Sequence, residues 1–168
     1  PGLIKHPNGK YYLYFKAMAG PKGKGAKVSM GVAISEKLEG PYIIQSAPIT
    51  TNKERIEDGY AFIWRDKICL LTTDNHGILE KGGGLLWVSE DGLKFKTEPL
   101  SGFHNTQDFY LNGKIPKEAN ARYGKKVKFE RPQLLMDANN EPEYLYCPSG
   151  VALDGSDGSN SYVLKYQK

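Results

Sequence analysis

The sequence predicts an all-β fold made of repeated units, and three observations carry that expectation. First, 19 Gly and 10 Pro in 168 residues mark many turns rather than long helices. Second, the apolar runs are short and alternate with a period of two, as in Val28, Met30, Val32 and Ile34, which places them on one face of a strand. Third, the same order of runs and loops returns three times along the chain.

The first copy opens with Leu3-Ile4 and turns at His6-Pro7-Asn8-Gly9, where Asn-Gly supplies a tight hairpin. Lys10 to Ala17 is the second strand. A loop rich in Gly and Lys, Gly20 to Lys27, leads to the third, Val28 to Ser35. Glu39-Gly40-Pro41 then turns the chain into a short outer strand at Tyr42-Ile43-Ile44. In the second copy, Tyr60 to Trp64 is the first strand, Arg65-Asp66 the turn and Lys67 to Thr72 the second strand. A loop from Asn75 to Gly82 follows, then the strand Gly83 to Ser89, and Glu90 to Phe95 mirrors Glu36 to Tyr42. The third copy runs from Gln133 to Met136, through the turn Asp137 to Asn140, to Glu143–Cys147, and then through a Gly/Asp/Ser loop from Val151 to Asn160 to Ser161–Tyr166. It ends without an outer strand. Pro1, Gly59 and Pro132 take equivalent places. An insert, Ser101 to Lys128, separates the second and third copies. It carries Phe103, His104 and Tyr110, and the stretch from Pro116 to Ala121 reads as one helical turn with Pro at its start. Such an excursion is a rim elaboration or a binding loop.

Repeats of a four-stranded antiparallel unit with loops at fixed places are the signature of a β-propeller. The chain is therefore expected to be one partial propeller domain, 1–168, with blades at 1–50, 56–100 and 129–168 and the insert at 101–128. Three blades leave two outer faces uncovered and close no ring. The remaining blades are expected from a preceding segment or from another chain, in keeping with a start at Pro1 rather than Met.

Composition narrows the function. The hydrophobic fraction is 39%, and 11 Tyr make up part of the shortfall, since their rings bury area while their hydroxyls reach a wet edge. The net charge of +4 comes from 23 basic and 19 acidic residues. Lys22, Lys24 and Lys27, and Lys125, Lys126 and Lys128, fall in loops without interleaved aromatics, so no nucleic-acid partner is expected. No apolar run approaches membrane-spanning length and no signal peptide opens the chain. No close Cys/His ligand spacing exists, so neither a metal nor another cofactor is expected. Cys69 and Cys147 lie in apolar runs and read as buried thiols, with a disulfide and the compartment left open.

Chemistry is expected where the innermost strands begin. Glu57-Asp58 and Glu130-Arg131 directly precede two of them and would converge on one axial pocket. Acetal hydrolysis needs one carboxyl protonated and another ionised. Neighbouring carboxylates push their pKa values apart, and an Arg holds one ionised. The same residues also fit plain salt bridges that cap strand ends, and the residue pattern leaves both open. Asp74, His76 and His104 are further candidates for substrate binding at the rim, with a solvated loop as the plainer alternative. His6 reads as exposed in its turn. Trp64 and Trp87 read as core, with one ring of the Trp and Tyr set available as a sugar-stacking platform.

Pro1-Gly-Leu-Ile, Asn8-Gly-Lys-Tyr-Tyr-Leu-Tyr-Phe15, Gly31-Val-Ala-Ile-Ser35 and Glu39-Gly-Pro-Tyr42 resemble a blade of the five-bladed propeller glycoside hydrolases of families 43, 32, 62 and 117. Glu57-Asp58-Gly59, Gly82-Gly-Gly-Leu-Leu86 and Phe129-Glu-Arg-Pro-Gln-Leu-Leu135 are most similar to family 117, the 3,6-anhydro-α-L-galactosidases. The resemblance spans essentially the whole chain as blades three to five. It implies that Asp58 is a catalytic or pKa-modulating carboxylate and that Glu130 is the acid. Glu57, Arg131, His76, Asp74 and His104 would bind substrate. Family 117 carries a His acid just before that glutamate, where this chain has Phe129. The catalytic base belongs to the first blade, outside this chain, so the chain alone would be inactive.

The function expected is thus an exo-acting glycoside hydrolase on a poly- or oligosaccharide, in a periplasmic or secreted setting ahead of a cytoplasmic one. A non-catalytic propeller that binds glycan or protein is the rival. A transferase or phosphorylase on the same scaffold is the third reading.

Overall fold

A computed structural model describes residues 1–19, 27–50, 56–105, 129–149 and 160–166. Lys22, Lys24, Lys125, Lys126, Lys128, the helical turn at 116–121 and the loop at 151–159 lie outside the described residues, as does the side chain of Lys27.

Eleven strands are described, and they form three antiparallel sheets in chain order. The first holds β1 (Gly2–Lys5), β2 (Tyr11–Ala19), β3 (Lys27–Ser35) and β4 (Ile43–Ile44). The second holds β5 (Glu57–Trp64), β6 (Lys67–Thr73), β7 (Gly84–Ser89) and β8 (Leu100–Phe103). The third holds β9 (Gln133–Met136), β10 (Pro142–Ser149) and β11 (Asn160–Lys165). Each strand pairs with its chain neighbour, as short hairpin loops dictate. The expected strands are thus present, with one shift. The outer strand of the second sheet follows the stretch Glu90 to Phe95 at Leu100–Phe103, so Ser101 to Phe103 belong to the sheet rather than to the insert. Phe95 is 8% exposed and packs into the core from a loop, which is why an apolar run there does not make a strand.

The hairpin turns follow local chemistry. Arg65 and Asp66 both take positive φ, 50° and 59°, as a two-residue turn matching strand twist requires. The β1–β2 and β9–β10 turns are built alike. Gly9 (φ 89°) and Asn140 (φ 58°) occupy the left-handed position, and their amides donate to the carbonyls of His6 and Asp137. The side chains at those two positions cap the same amide, Asn8 N–H to His6 Nδ1 at 3.1 Å and Asn139 N–H to Asp137 Oδ1 at 2.8 Å. His6 is therefore not the free turn residue expected. Its ring is half-buried, stacked on Tyr12 at 4.4 Å, because its acceptor nitrogen is needed by the turn.

Two apolar layers hold the three sheets together. One lies between the first and second sheets and contains Tyr12, Tyr14, Met30, Val32, Ile68, Leu70, Leu85 and Trp87. The other lies between the second and third and contains Phe62, Cys69, Leu71, Phe103, Phe129, Leu145 and Cys147. Alternate residues of β6 feed the two layers, Ile68 and Leu70 one, Cys69 and Leu71 the other. Trp87 is buried, and its Nε1–H donates to Thr72 Oγ1 at 2.9 Å. Cys69 and Cys147 are free buried thiols, pushed up to about 11 and about 12 by burial. At the inner edge, β1 passes so close to β5 that a Cβ on Gly2 would sit 2.7 Å from the Ala61 nitrogen. Only Gly allows that approach, and it brings the starts of β1 and β5 to one place.

Candidate functional site

The starts of β5 and β9 and the end of β2 surround a cavity of about 520 Å³ lined by Pro1, Phe15, Lys16, Met30, Asp58, Gly59, Tyr60, Arg131, Pro132 and Gln133. Pro1, Gly59 and Pro132, equivalent in the repeat, thus meet at one wall.

Backbone geometry marks the same spot. Asp58 and Arg131 are both left-handed, with φ of 60° and 48°, a conformation that costs a non-Gly residue roughly 1–2 kcal/mol. At Asp58 the strand also carries a bulge, so that pairing jumps from Glu57–Thr73 to Tyr60–Leu71. Bulges re-aim side chains, and strain of this kind collects at functional positions. Two successive sheets thus turn their first residues by the same device.

Asp58 is 12% exposed in its side chain, and Arg131 Nε lies 3.9 Å from its Oδ1. Arg131 Nη1 also donates to Glu130 Oε2 at 3.2 Å. Lys16, from the first sheet, places Nζ 3.9 Å from Glu57 Oε2. Burial pushes the Asp58 carboxyl above its ordinary value, with a further push from Glu130 and Glu57. Arg131 and Lys16 oppose it without cancelling it. Desolvation therefore outweighs the two cations, which are both substantially solvated. Burial also raises Tyr60, whose hydroxyl donates to the Leu134 carbonyl at 3.3 Å. A carboxyl raised by burial, with two further carboxyls close by, is an arrangement that acid–base work can use.

Of the residues singled out in the sequence, Asp58 and Arg131 line this cavity, and Glu57 and Glu130 join them through their ion pairs with Lys16 and Arg131. Asp74, His76 and His104 do not line this cavity. Asp74 is 1% exposed, and its two oxygens accept four backbone N–H groups, from Gly77, Ile78, Leu79 and Glu80, at 2.7–2.9 Å. This corrects the binding role expected of Asp74, since its acceptor capacity is spent on shaping its own loop. His76 is exposed on that loop. His104 follows β8, and its Nδ1 lies 3.1 Å from Glu80 Oε2. Phe129 is a fully buried ring packed between Phe103 and Tyr162. Trp64 belongs to the boundary with the third sheet, where its Nε1–H donates to Glu141 Oε2 at 2.9 Å. Lys16 is the residue that sequence reasoning missed. It continues the face of Tyr12 and Tyr14, two core positions, so a charge there was the available signal. Among the described residues no group of three or more His, Cys, Asp or Glu is placed to hold a metal ion, and no helix is long and apolar enough to cross a membrane.

No family profile matches the chain. It is 29% identical over 172 residues to an extracellular endo-α-(1→5)-L-arabinanase 2 of Bacillus subtilis (strain 168), covering 96% of this chain and 33% of that protein. Among solved structures, a thermostable family-43 glycoside hydrolase is matched at a TM-score of 0.57 and 18% identity, over 88% of this chain and 43% of the other. An exo-β-1,3-galactanase from Clostridium thermocellum is matched at 0.55 and 13% identity, over 98% of this chain and 35% of that one. The chain thus spans about a third of the length of the curated relative. In sequence the chain is similar to an arabinanase, and in fold to a family-43 glycoside hydrolase and a galactanase.

Proposed function

We propose that the chain is the part of a five-bladed β-propeller glycoside hydrolase that supplies two of its axial carboxylates. The protein would act exo-wise on a poly- or oligosaccharide. The observation that carries this reading is the meeting of Asp58 with the Glu130–Arg131 pair at the left-handed starts of two adjacent sheets, beside a cavity with aromatic walls. Asp58 acts as a carboxylate at the reacting sugar, where its ionised form stabilises positive charge developing on the ring. Glu130 is the proton donor to the leaving oxygen. Phe15 and Tyr60 offer ring faces to the apolar side of a sugar, a role the sequence pattern had left to an unnamed aromatic. The exposed outer faces of the first and third sheets support further blades on either side, from a neighbouring segment or another chain, and with them the missing base. The extracellular location of the Bacillus relative supports a secreted or periplasmic setting. The tie to family 117 rests on short motifs alone, and the buried Phe129 leaves its His acid without a counterpart.

The test is hydrolysis of aryl glycosides and of arabinan and β-1,3-galactan by the complete protein and its Asp58→Asn and Glu130→Gln variants. Each variant is expected to lose on the order of 10³-fold or more in kcat. Unchanged rates in both, or binding of these glycans without turnover by the unaltered protein, would favour a glycan-binding propeller instead.

A further inference from the structure

Asp58, Lys16 and Arg131 line the cavity, Glu57 and Glu130 are tied to those two cations, and the cations are not placed alike with respect to the sheets. Lys16 stands on β2 of the first sheet and reaches Glu57 of the second at 3.9 Å. Arg131 stands at the start of β9 in the third sheet and reaches back to Asp58 of the second at 3.9 Å, while holding Glu130 at 3.2 Å. Each sheet boundary at the cavity is thus crossed by one ion pair, and the second sheet supplies the acidic partner both times. Among the described residues, the charged groups that act on Asp58 are these four: Arg131, Lys16, Glu130 and Glu57.

Arg131 cannot serve as a simple strand-end cap. Its own backbone is left-handed, which an Arg side chain does not favour, and its guanidinium, a fork of five donors, is shared between carboxylates of two sheets. A bridging cation of this kind fixes where two carboxylates sit relative to each other and opposes the effect of burial on Asp58. Lys16 can do the second but, as a single point charge at 3.9 Å, does the first poorly.

We infer that Arg131 is a positioning residue, a bridge between sheets that orients Asp58 against Glu130, with Lys16 as a weaker second cation acting from the other side. This deepens the reading of the site as a carboxylate centre and goes against a role for Arg131 in gripping substrate. Burial alone would drive Asp58 toward its neutral form; Arg131 is the largest opposing influence on it.

The test separates this inference from the glycosidase reading by watching Asp58 directly. Carboxyl ¹³C chemical shifts, followed against pH in the complete protein, report Asp58 with no substrate present. In Arg131→Gln its titration is expected to move to higher pH, Arg131→Lys should return it part of the way, and Lys16→Met should move it the same way but less. If the protein hydrolyses aryl glycosides, the acid limb of its kcat/KM profile should move with the same order of variants. An Asp58 titration unchanged in Arg131→Gln, or moved as far by Lys16→Met, overturns the inference whatever the enzyme assay gives. A raised KM in Arg131→Gln at constant kcat, with the pH limb unmoved, overturns it too, in favour of substrate gripping. If Arg131→Gln does not fold, Arg131→Lys decides. Arg131→Lys must then shift Asp58 upward, since a point charge replaces the bridging fork; no upward shift in that variant overturns the inference. Absence of hydrolysis by the unaltered protein would sink the glycosidase reading and leave the titration outcome standing.

Discussion

The second and third sheets share a hairpin plan but live in different surroundings. In β6 of the second sheet, six residues in a row from Ile68 to Thr73 are buried. In β10 and β11 of the third, burial alternates, with Leu145 and Cys147 covered while Tyr146 and Val163 are 40% and 56% exposed. A strand covered on both faces reads as a continuous apolar run and one covered on a single face alternates. The second sheet is therefore covered on both faces, and the third on one. The first sheet repeats the lesson on the other side, where Leu3 is 46% exposed.

The most damaging way to break this comparison is to open the two-sided strand. Leu70→Ala is expected to cost about 3 kcal/mol by cavity formation, read from denaturant unfolding, while Val163→Ser on the open face should stay within about 0.5 kcal/mol. A large loss at Val163 would mean that its face is already covered in the assembled protein. Close behind stands Asp74→Ala, expected to cost about 2–3 kcal/mol because four amides lose their acceptor, whereas His76→Ala on the same loop should leave the melting temperature unchanged. Equal effects of the two would return Asp74 to the binding surface.

Asp58→Asn sharpens the boundary between the two sheets. Because burial raises the Asp58 carboxyl above its ordinary value of 3.8, the folded state keeps a proton that the unfolded chain has released. Stability due to this group is then present below that value and is lost as pH rises. Asn cannot ionise and also tolerates a left-handed backbone. The variant should therefore melt about 1–3 °C higher than the parent at pH 7, with the gain shrinking toward pH 3, even as activity disappears. A lower melting temperature at pH 7 would mean that the ion pair with Arg131 outweighs desolvation. The smallest effect is expected of Tyr166→Phe, which removes the hydroxyl that donates to the Gly102 carbonyl at 3.3 Å across the sheet boundary. About 0.5–1 kcal/mol should be lost.

Much of the candidate site was legible because repetition aligns functions. Glu57-Asp58 and Glu130-Arg131 stood at equivalent places, and the sheets bring equivalent places together. Asp74 misled for a physical reason. An Asp ahead of a Gly-containing loop looks the same whether its oxygens face a ligand or the loop's own amides, and only the folded loop shows four amides claiming them. Lys16 showed only as a charge on the face of Tyr12 and Tyr14, because its meaning depends on Glu57, 41 positions later in the chain and in another sheet.

By itself the sequence determined the all-β class, the three units, the hairpin turns and the residues that begin each inner strand. These rest on the period of two and on turn chemistry, which act between near neighbours in the chain. Only the tertiary structure decided that Asp58 is desolvated, that Arg131 bridges two sheets and Lys16 a third, and that Asp74 is turned inward. Burial and charge pairing are properties of what lies across a sheet boundary, and nothing local in the chain encodes them.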